Sequence, residues 1–191
     1  MKQQQWSIVM VRDHVRIFND VLPANTCAKL CEYARGEHGF EMDRFEFNHC
    51  PQFWKGFFLP EVNKELHDHL IDHVKDYTLK YFKQIKYDLN LLPDSWSLEA
   101  LTLKRYDPGD RFTEHVDVTT YDAARRFLAL QFYLNEDFKG GKTVFKDGPT
   151  IQPKTGRLLI FPPTWEYPHT GTQVISGQKY LLTTYLHYKD D

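Results

Sequence analysis

A histidine and an aspartate stand two residues apart in TEHVDVTT, at His115 and Asp117, where a strand-like run gives way to a loop. If the strand opens between them, both side chains can face one metal ion. A histidine from a neighbouring strand would complete one triangular face of an octahedron, and His169, after RLLIFPPTWEYP, stands where such a strand begins. Two imidazoles and a carboxylate leave three coordination positions open, an arrangement suited to Fe(II) and oxygen chemistry. A structural zinc site would instead be closed by four protein ligands, often thiolates. Lys179 lies past a Ser176-Gly177 turn, at the head of the last strand-like run. A cation there can pair with an organic acid whose other end chelates the metal. Period-two alternation puts Lys179, Leu181, Thr183 and Tyr185 on one face, a mixture that fits a pocket wall better than a plain core or surface.

The other histidines offer less. His69 and His73 stand four apart on a helical pattern, but Leu70 occupies the position where a metalloprotease pair carries its general-base glutamate. They read as solvated residues beside an apolar stripe.

The elements that must position these groups change character along the chain. A helix is expected from Ala24 to about Arg35, entered after Pro23 and stopped by Gly36. A second follows Pro60, where Val62, Leu66, Leu70, Val74, Tyr77, Tyr81 and Ile85 recur three or four apart and would lie against a sheet. Between them, Gly39 to Phe58 is dense in aromatics without helical spacing. It reads as strands and turns, or as a hairpin beside a cleft in which Phe45, Phe47 or Trp54 contacts a substrate. From Leu98 onward, SLEALTLKRY, RFLALQFYLN, FKGGKTVF, TIQPKTGRLLIFPP and QKYLLTTYLHY read as strands divided by Gly, Pro and Asp turns. Regular short strands argue for an antiparallel barrel or jelly roll.

A chain of 191 residues with 41% hydrophobic and 26% charged content fits one globular domain, with helical support over about 20–90 and a core over about 96–190. The formal charge of -2 gives no basic footprint, so no nucleic-acid partner is expected. The N-terminal stretch lacks a signal-peptide pattern and no run is apolar enough to span a bilayer; no membrane association and a cytoplasmic location are expected. Three cysteines, Cys27, Cys31 and Cys50, are too few to staple a fold, and the first two read as buried thiols on a helix.

With these motifs in order, RYDPGDRFTEHVD, FYLNEDFKGGKTVF, IQPKTGRLLIFPP and His169 with TGTQVISGQKYLLTTYLHY, the back half resembles the Fe(II)/2-oxoglutarate-dependent dioxygenases of the prolyl 4-hydroxylase-like branch. The resemblance implies an α+β fold, mainly β, with a double-stranded β-helix (jelly-roll) core supported by N-terminal helices. It implies His115, Asp117 and His169 as iron ligands and Lys179 as the partner of the distal carboxylate of 2-oxoglutarate. Tyr133 matches a tyrosine that hydrogen-bonds the same carboxylate, Tyr106 one that lines the co-substrate pocket, and Thr143 and Thr183 are polar groups nearby. The implied cofactors are Fe(II), 2-oxoglutarate and O2, with ascorbate as an accessory reductant. The implied reaction hydroxylates an unactivated C–H bond of prolyl residues in a peptide or protein and releases succinate and CO2. Hydroxylation of a free amino acid or other small molecule, and a non-catalytic barrel that binds 2-oxoglutarate, are the alternatives. Phe112 stands where the pattern often carries tyrosine, and Tyr185 where some relatives carry tryptophan. Both fall where substrate would lie, with Arg126 and Trp54 as further candidates there. Tyr121, Asp122, Arg125 and Arg126 read either as an exposed turn or as a flap over a peptide.

Overall fold

Pro23 and Gly36 bracket the first helix as their backbone preferences require. The residue at Gly36 has φ 80°, and its N–H closes the last turn on the carbonyls of Glu32 and Tyr33. The computed structural model describes residues 11–36, 43–47, 50–93 and 95–189, with the backbone alone over 11–12, 43–47 and 50–58 and at 62. In chain order the front half comprises β1 (Arg16–Phe18), α1 (Ala24–Arg35), β2 (Asp43–Phe47), β3 (Cys50–Phe58), α2 (Leu59–Val62) and α3 (Lys64–Gln84). The back half comprises β4 (Trp96–Leu98), β5 (Thr102–Tyr106), β6 (Phe112–His115), β7 (Arg126–Tyr133), β8 (Lys139–Gly140) and β9 (Thr143–Phe145). It continues with β10 (Thr150–Ile151), β11 (Arg157–Phe161), β12 (His169–Gly171), β13 (Val174–Ser176) and β14 (Lys179–Tyr188).

The larger sheet runs β1-β11-β7-β14-β5-β3-β2, with β4 added to β14, and the smaller runs β10-β9-β12-β6. A ribbon of β13 and β8 stands apart from both. All the described pairings are antiparallel. The larger sheet is apolar on both faces because alternate residues serve two cores. Leu128, Leu130, Phe132, Leu182 and Leu186 meet Leu30, Cys31, Leu70, Val74 and Tyr81 of the helices. Ala129, Tyr133, Leu159, Phe161 and Leu181 turn the other way, towards Phe145 and Ile151 of the smaller sheet. The helices therefore cover one face of the sheet, and the other face closes the barrel that holds the chemistry. Burying a leucine or phenylalanine fully contributes about 1.5–3 kcal/mol, so the outer row of β7 and β14 needs that helical cover.

Two boundaries differ from the sequence reading. The long helix begins at Lys64, not directly after Pro60, because the Asn63 side chain accepts the Leu66 N–H at 2.9 Å and starts a new helix after the single turn of α2. The SLEALTLKRY run divides into β4 and β5: Leu101 turns into the helix-side core, and each piece pairs with a different end of β14. The aromatic segment forms the β2–β3 hairpin, which joins the larger sheet through β5. Residues 39–42 and 48–49, and the side chains of Phe45, Phe47, Cys50 and Trp54, lie outside the described residues. Cys27 and Cys31 are buried free thiols, and burial pushes them up to about 11 and about 12, far from the thiolate range. Among the described residues, no helix is long and apolar enough to cross a membrane.

Candidate active site

His115 ends β6 and His169 begins β12, and the two are register partners across that antiparallel pair. Their rings lie 4.2 Å apart, centroid to centroid. Each ring is held by the same device. The Nδ1–H of His115 donates to the Thr113 carbonyl at 2.7 Å, and that of His169 to the Tyr167 carbonyl at 3.0 Å. A carbonyl can only accept, so each neutral imidazole keeps its proton on Nδ1 and presents the Nε2 lone pair. Such tethering of the second ring nitrogen is how a metal-binding histidine is oriented.

Asp117 lies two residues past the end of β6, where the chain leaves the strand. Its N–H donates to the Pro163 carbonyl at 3.2 Å, which fixes it against the loop leading to His169. Its Oδ1 stands 3.6 Å from His115 Nε2 and 4.0 Å from His169 Nε2. The three ligand atoms all lie within 4.8 Å of one another, a separation that one ion can bridge. Burial alone would raise the Asp117 carboxyl, but His169 and then His115 outweigh it and hold it at about 2, so the group is an anion. Burial lowers His169 against the pull of Asp117, which favours the neutral imidazole. Phe112 packs on the His115 ring at 3.7 Å, and Phe145 and Phe161 flank His169 at 5.5 and 5.0 Å.

Lys179 opens β14 opposite Tyr106 and is only 3% exposed. Its ammonium lies 5.1 Å from the centre of the Tyr106 ring and 5.8 Å from that of Tyr133. Among the described residues no carboxylate pairs with it. Burial, with a smaller push from Lys104, lowers it to about 7. A cation held in this way lacks one thing, an anion. The stem passes Gly141, where a side chain would meet Lys179 Cδ at 3.0 Å and Phe138 at 2.7 Å. Glycine there, at φ 63°, makes the room. Tyr133 is buried and donates its hydroxyl to Thr143 Oγ1 at 2.7 Å, which also receives Gln131 Nε2 at 3.2 Å. Thr183 lies further along the same inward row, opposite Gln131 and Thr102.

The remaining expectations divide. Tyr185 also faces inward: burial and then the Asp117 carboxylate push its hydroxyl well above the ordinary value. Arg126 is built into the wall. Its Nε and Nη2 donate to the two oxygens of Glu99 at 2.6 and 2.9 Å, its Nη1 to the Asp117 carbonyl at 3.3 Å, and its guanidinium stacks 4.0 Å from the Tyr185 ring. A residue fastened at three points does not ride on a flap. The turn before it does stand out, with Tyr121 93% exposed. Trp54 is on β3, opposite Phe45, with its side chain outside the described residues. A surface hollow of about 510 Å³ between β1 and α3, lined by Phe18, Tyr77 and Lys80, lies elsewhere and holds none of these groups.

Sequence reading missed Glu99, the partner of Arg126, and Lys104. Lys104 alternates with Leu103 and shares the inward face of β5 with Tyr106, a signal the strand pattern carries.

The comparisons with known proteins meet this geometry at the barrel. Residues 101–187, which carry His115, Asp117, His169 and Lys179, match the 2OG-Fe(II) oxygenase superfamily. Over that stretch the chain is similar to members of the superfamily. The family implies Fe(II) and 2-oxoglutarate, and the donor set and the buried ammonium fit both. Among its relatives is a putative prolyl 4-hydroxylase of Acanthamoeba polyphaga mimivirus, 31% identical over 103 residues, covering 44% of this chain and 42% of that one. Prolyl 4-hydroxylase 2 of Arabidopsis thaliana is 27% identical over 124 residues, covering 47% and 41%. The matched stretch thus spans about two fifths of each relative's own length. A Pseudomonas putida prolyl-4-hydroxylase shares the fold with a TM-score of 0.72 and 20% identity, over 93% of this chain and 94% of that one. The viral collagen prolyl hydroxylase of Paramecium Bursaria Chlorella virus-1, in its 2OG complex, gives a TM-score of 0.67 and 19% identity, over 92% and 97%. The fold is thus the expected α+β arrangement, a double-stranded β-helix with helices on one face.

Proposed function

We propose that the protein is an Fe(II)- and 2-oxoglutarate-dependent dioxygenase that hydroxylates prolyl residues in a peptide or protein. The observation that carries this is one barrel interior holding two Nε2-presenting imidazoles, an ionised aspartate and a buried lysine with no described carboxylate partner. When bound, Fe(II) and 2-oxoglutarate would supply O2 activation, coupling loss of CO2 and formation of succinate to hydroxylation of a C–H bond.

The chain's own residues bind, orient and shield. His115, His169 and Asp117 would hold the metal, three protein ligands that leave room for co-substrate and oxygen. Lys179 would pair with the far carboxylate of 2-oxoglutarate, with the Tyr106 and Tyr133 rings bracing the ammonium. The Tyr133–Thr143–Gln131 hydrogen bonds fix that end of the pocket. Phe112, Phe145 and Phe161 pack the imidazoles in apolar surroundings, which limits water around a reactive centre. Tyr185 and Arg126 border the Asp117 side, where the substrate would enter. Relatives named as prolyl 4-hydroxylases support the choice of proline, and ascorbate is proposed as an external reductant.

The test is incubation of purified protein with Fe(II), 2-oxoglutarate and proline-containing peptides. Succinate release matched by a gain of one oxygen on proline is expected. Turnover confined to free proline would move the assignment to small-molecule hydroxylation, and 2-oxoglutarate binding without turnover on any substrate would leave a binding barrel.

A further inference from the structure

The two imidazoles of the triad are tethered by carbonyls of unequal standing. Thr113 lies inside β6, so the strand itself fixes the carbonyl that holds His115. Tyr167, whose carbonyl holds His169, lies instead in the loop between β11 and β12. That loop includes Pro162, Pro163 and Pro168, which have no N–H to donate. The Tyr167 N–H donates to the Thr164 carbonyl at 3.0 Å, which closes a local turn and fastens it to no neighbouring strand. The aim of the Tyr167 carbonyl therefore depends on where its side chain is held.

The hold comes from the front of the chain. The Tyr167 ring is 6% exposed and packs in the barrel-side core with Val15 and Phe161. Its hydroxyl is hydrogen-bonded to His14 Nδ1 at 2.9 Å. His14 is held in turn from the helical layer, since the buried Tyr81 of α3 donates its hydroxyl to the His14 carbonyl at 2.9 Å. Two residues on, β1 pairs with β11, Arg16 opposite Ile160. One line of contacts thus runs from α3 through His14 and Tyr167 to Nδ1 of His169. His14 and Tyr81 lie outside residues 101–187, the stretch that matches the superfamily.

We propose that His14 and Tyr167 are positioning residues for His169: their hydrogen bond sets the carbonyl that receives the Nδ1–H, and so aims the Nε2 lone pair at the metal. This rests on reading the triad as a metal site and brings a residue of the front half into it. Without the bond the loop backbone gains alternatives, and metal binding must first restore the right one. A bond that served the fold alone would be lost equally from free and metal-loaded protein, and metal affinity would not move.

Calorimetric titration with Fe(II) under nitrogen, beside urea unfolding of each protein, tests it. Tyr167→Phe and His14→Ala should bind Fe(II) about twofold to tenfold more weakly than wild type, the range of one net hydrogen bond. His14→Asn should recover the affinity, because its Oδ1 can take the place of Nδ1 opposite the tyrosine hydroxyl. Tyr33→Phe is the control: it loses a bond of the same kind, to Asn63 at 2.7 Å on the helical side, and should unfold earlier with Fe(II) affinity unchanged. Wild-type affinity in Tyr167→Phe overturns the inference, whatever its stability. An equal loss of affinity in Tyr33→Phe also overturns it, since Fe(II) binding would then follow stability alone. Failure of His14→Asn to recover what His14→Ala loses overturns the role given to the bond. The two levels separate. Fe(II) affinity that follows the His14–Tyr167 bond, with no oxygenated product from any peptide in air, keeps this inference and removes prolyl hydroxylation. Unchanged affinity in Tyr167→Phe, with hydroxylated peptide formed, does the reverse.

Discussion

Replacing Lys179 with methionine should stabilise the ligand-free protein while destroying its use of 2-oxoglutarate. In the fold, burial brings this lysine from an ordinary 10.5 to about 7. At about 1.4 kcal/mol per pH unit, keeping it charged inside costs about 5 kcal/mol, and about 4 kcal/mol at pH 7, where half the molecules have released the proton. The Tyr106 and Tyr133 rings return about 1–2 kcal/mol of that to the cation. A net gain of about 2–3 kcal/mol is therefore expected for Lys179→Met at pH 7, since methionine keeps the straight stem that passes Gly141. The sign has a pH signature. The unfolded lysine stays protonated up to about 10.5 while the folded one gives up its proton near 7, so the penalty is full below pH 7 and fades between 7 and 10.5. Urea unfolding of both proteins without metal or 2-oxoglutarate, at pH 6, 7.5 and 9, reads this as a gap that narrows with rising pH. Added 2-oxoglutarate with Fe(II) should raise wild-type stability and leave the variant almost unmoved. A variant less stable than wild type at pH 6, or a gap that does not change with pH, would refute a buried, unpaired ammonium at this position.

Three further substitutions probe the walls. Gly141→Ala should cost about 1–3 kcal/mol and raise the 2-oxoglutarate requirement several-fold, since its methyl would press on Phe138 and the Lys179 stem at a positive φ; thermal unfolding and a co-substrate titration check both. Tyr133→Phe should lose about 1 kcal/mol with the bond to Thr143, and an unchanged urea midpoint would show that bond to be unimportant. Arg126→Lys should cost about 1 kcal/mol of stability yet reduce turnover about tenfold or more, because a lysine cannot hold both Glu99 oxygens and the Asp117 carbonyl together; parallel melting and succinate assays separate the two effects.

The sequence makes the inward row of β14 legible because strand alternation depends on the backbone alone. Lys179, Leu181, Thr183 and Tyr185 lie on one face, with Tyr180, Leu182 and Leu186 against the helices. The facial pair His115 and Asp117 is local, and His169 has few rivals at a strand start. Other features depend on distant partners. Arg126 looks like a turn residue until Glu99, 27 positions earlier, is seen to take its fork. The start of α3 is hidden in the sequence because Pro60 is a stronger local signal than the Asn63 cap. The pairing of the aromatic hairpin with β5 joins segments about 50 residues apart, which no local pattern encodes.

The proposed function requires His115, Asp117 and His169 to form one Fe(II) site facing the 2-oxoglutarate pocket. Anaerobic Fe(II) titration of wild type and of Asp117→Ala, with far-UV circular dichroism to confirm the fold, tests it most directly. One Fe(II) per wild-type chain is expected, bound more tightly when 2-oxoglutarate is present, with no specific Fe(II) in the folded variant. Wild-type Fe(II) affinity in Asp117→Ala, with the 2-oxoglutarate effect intact, would contradict it.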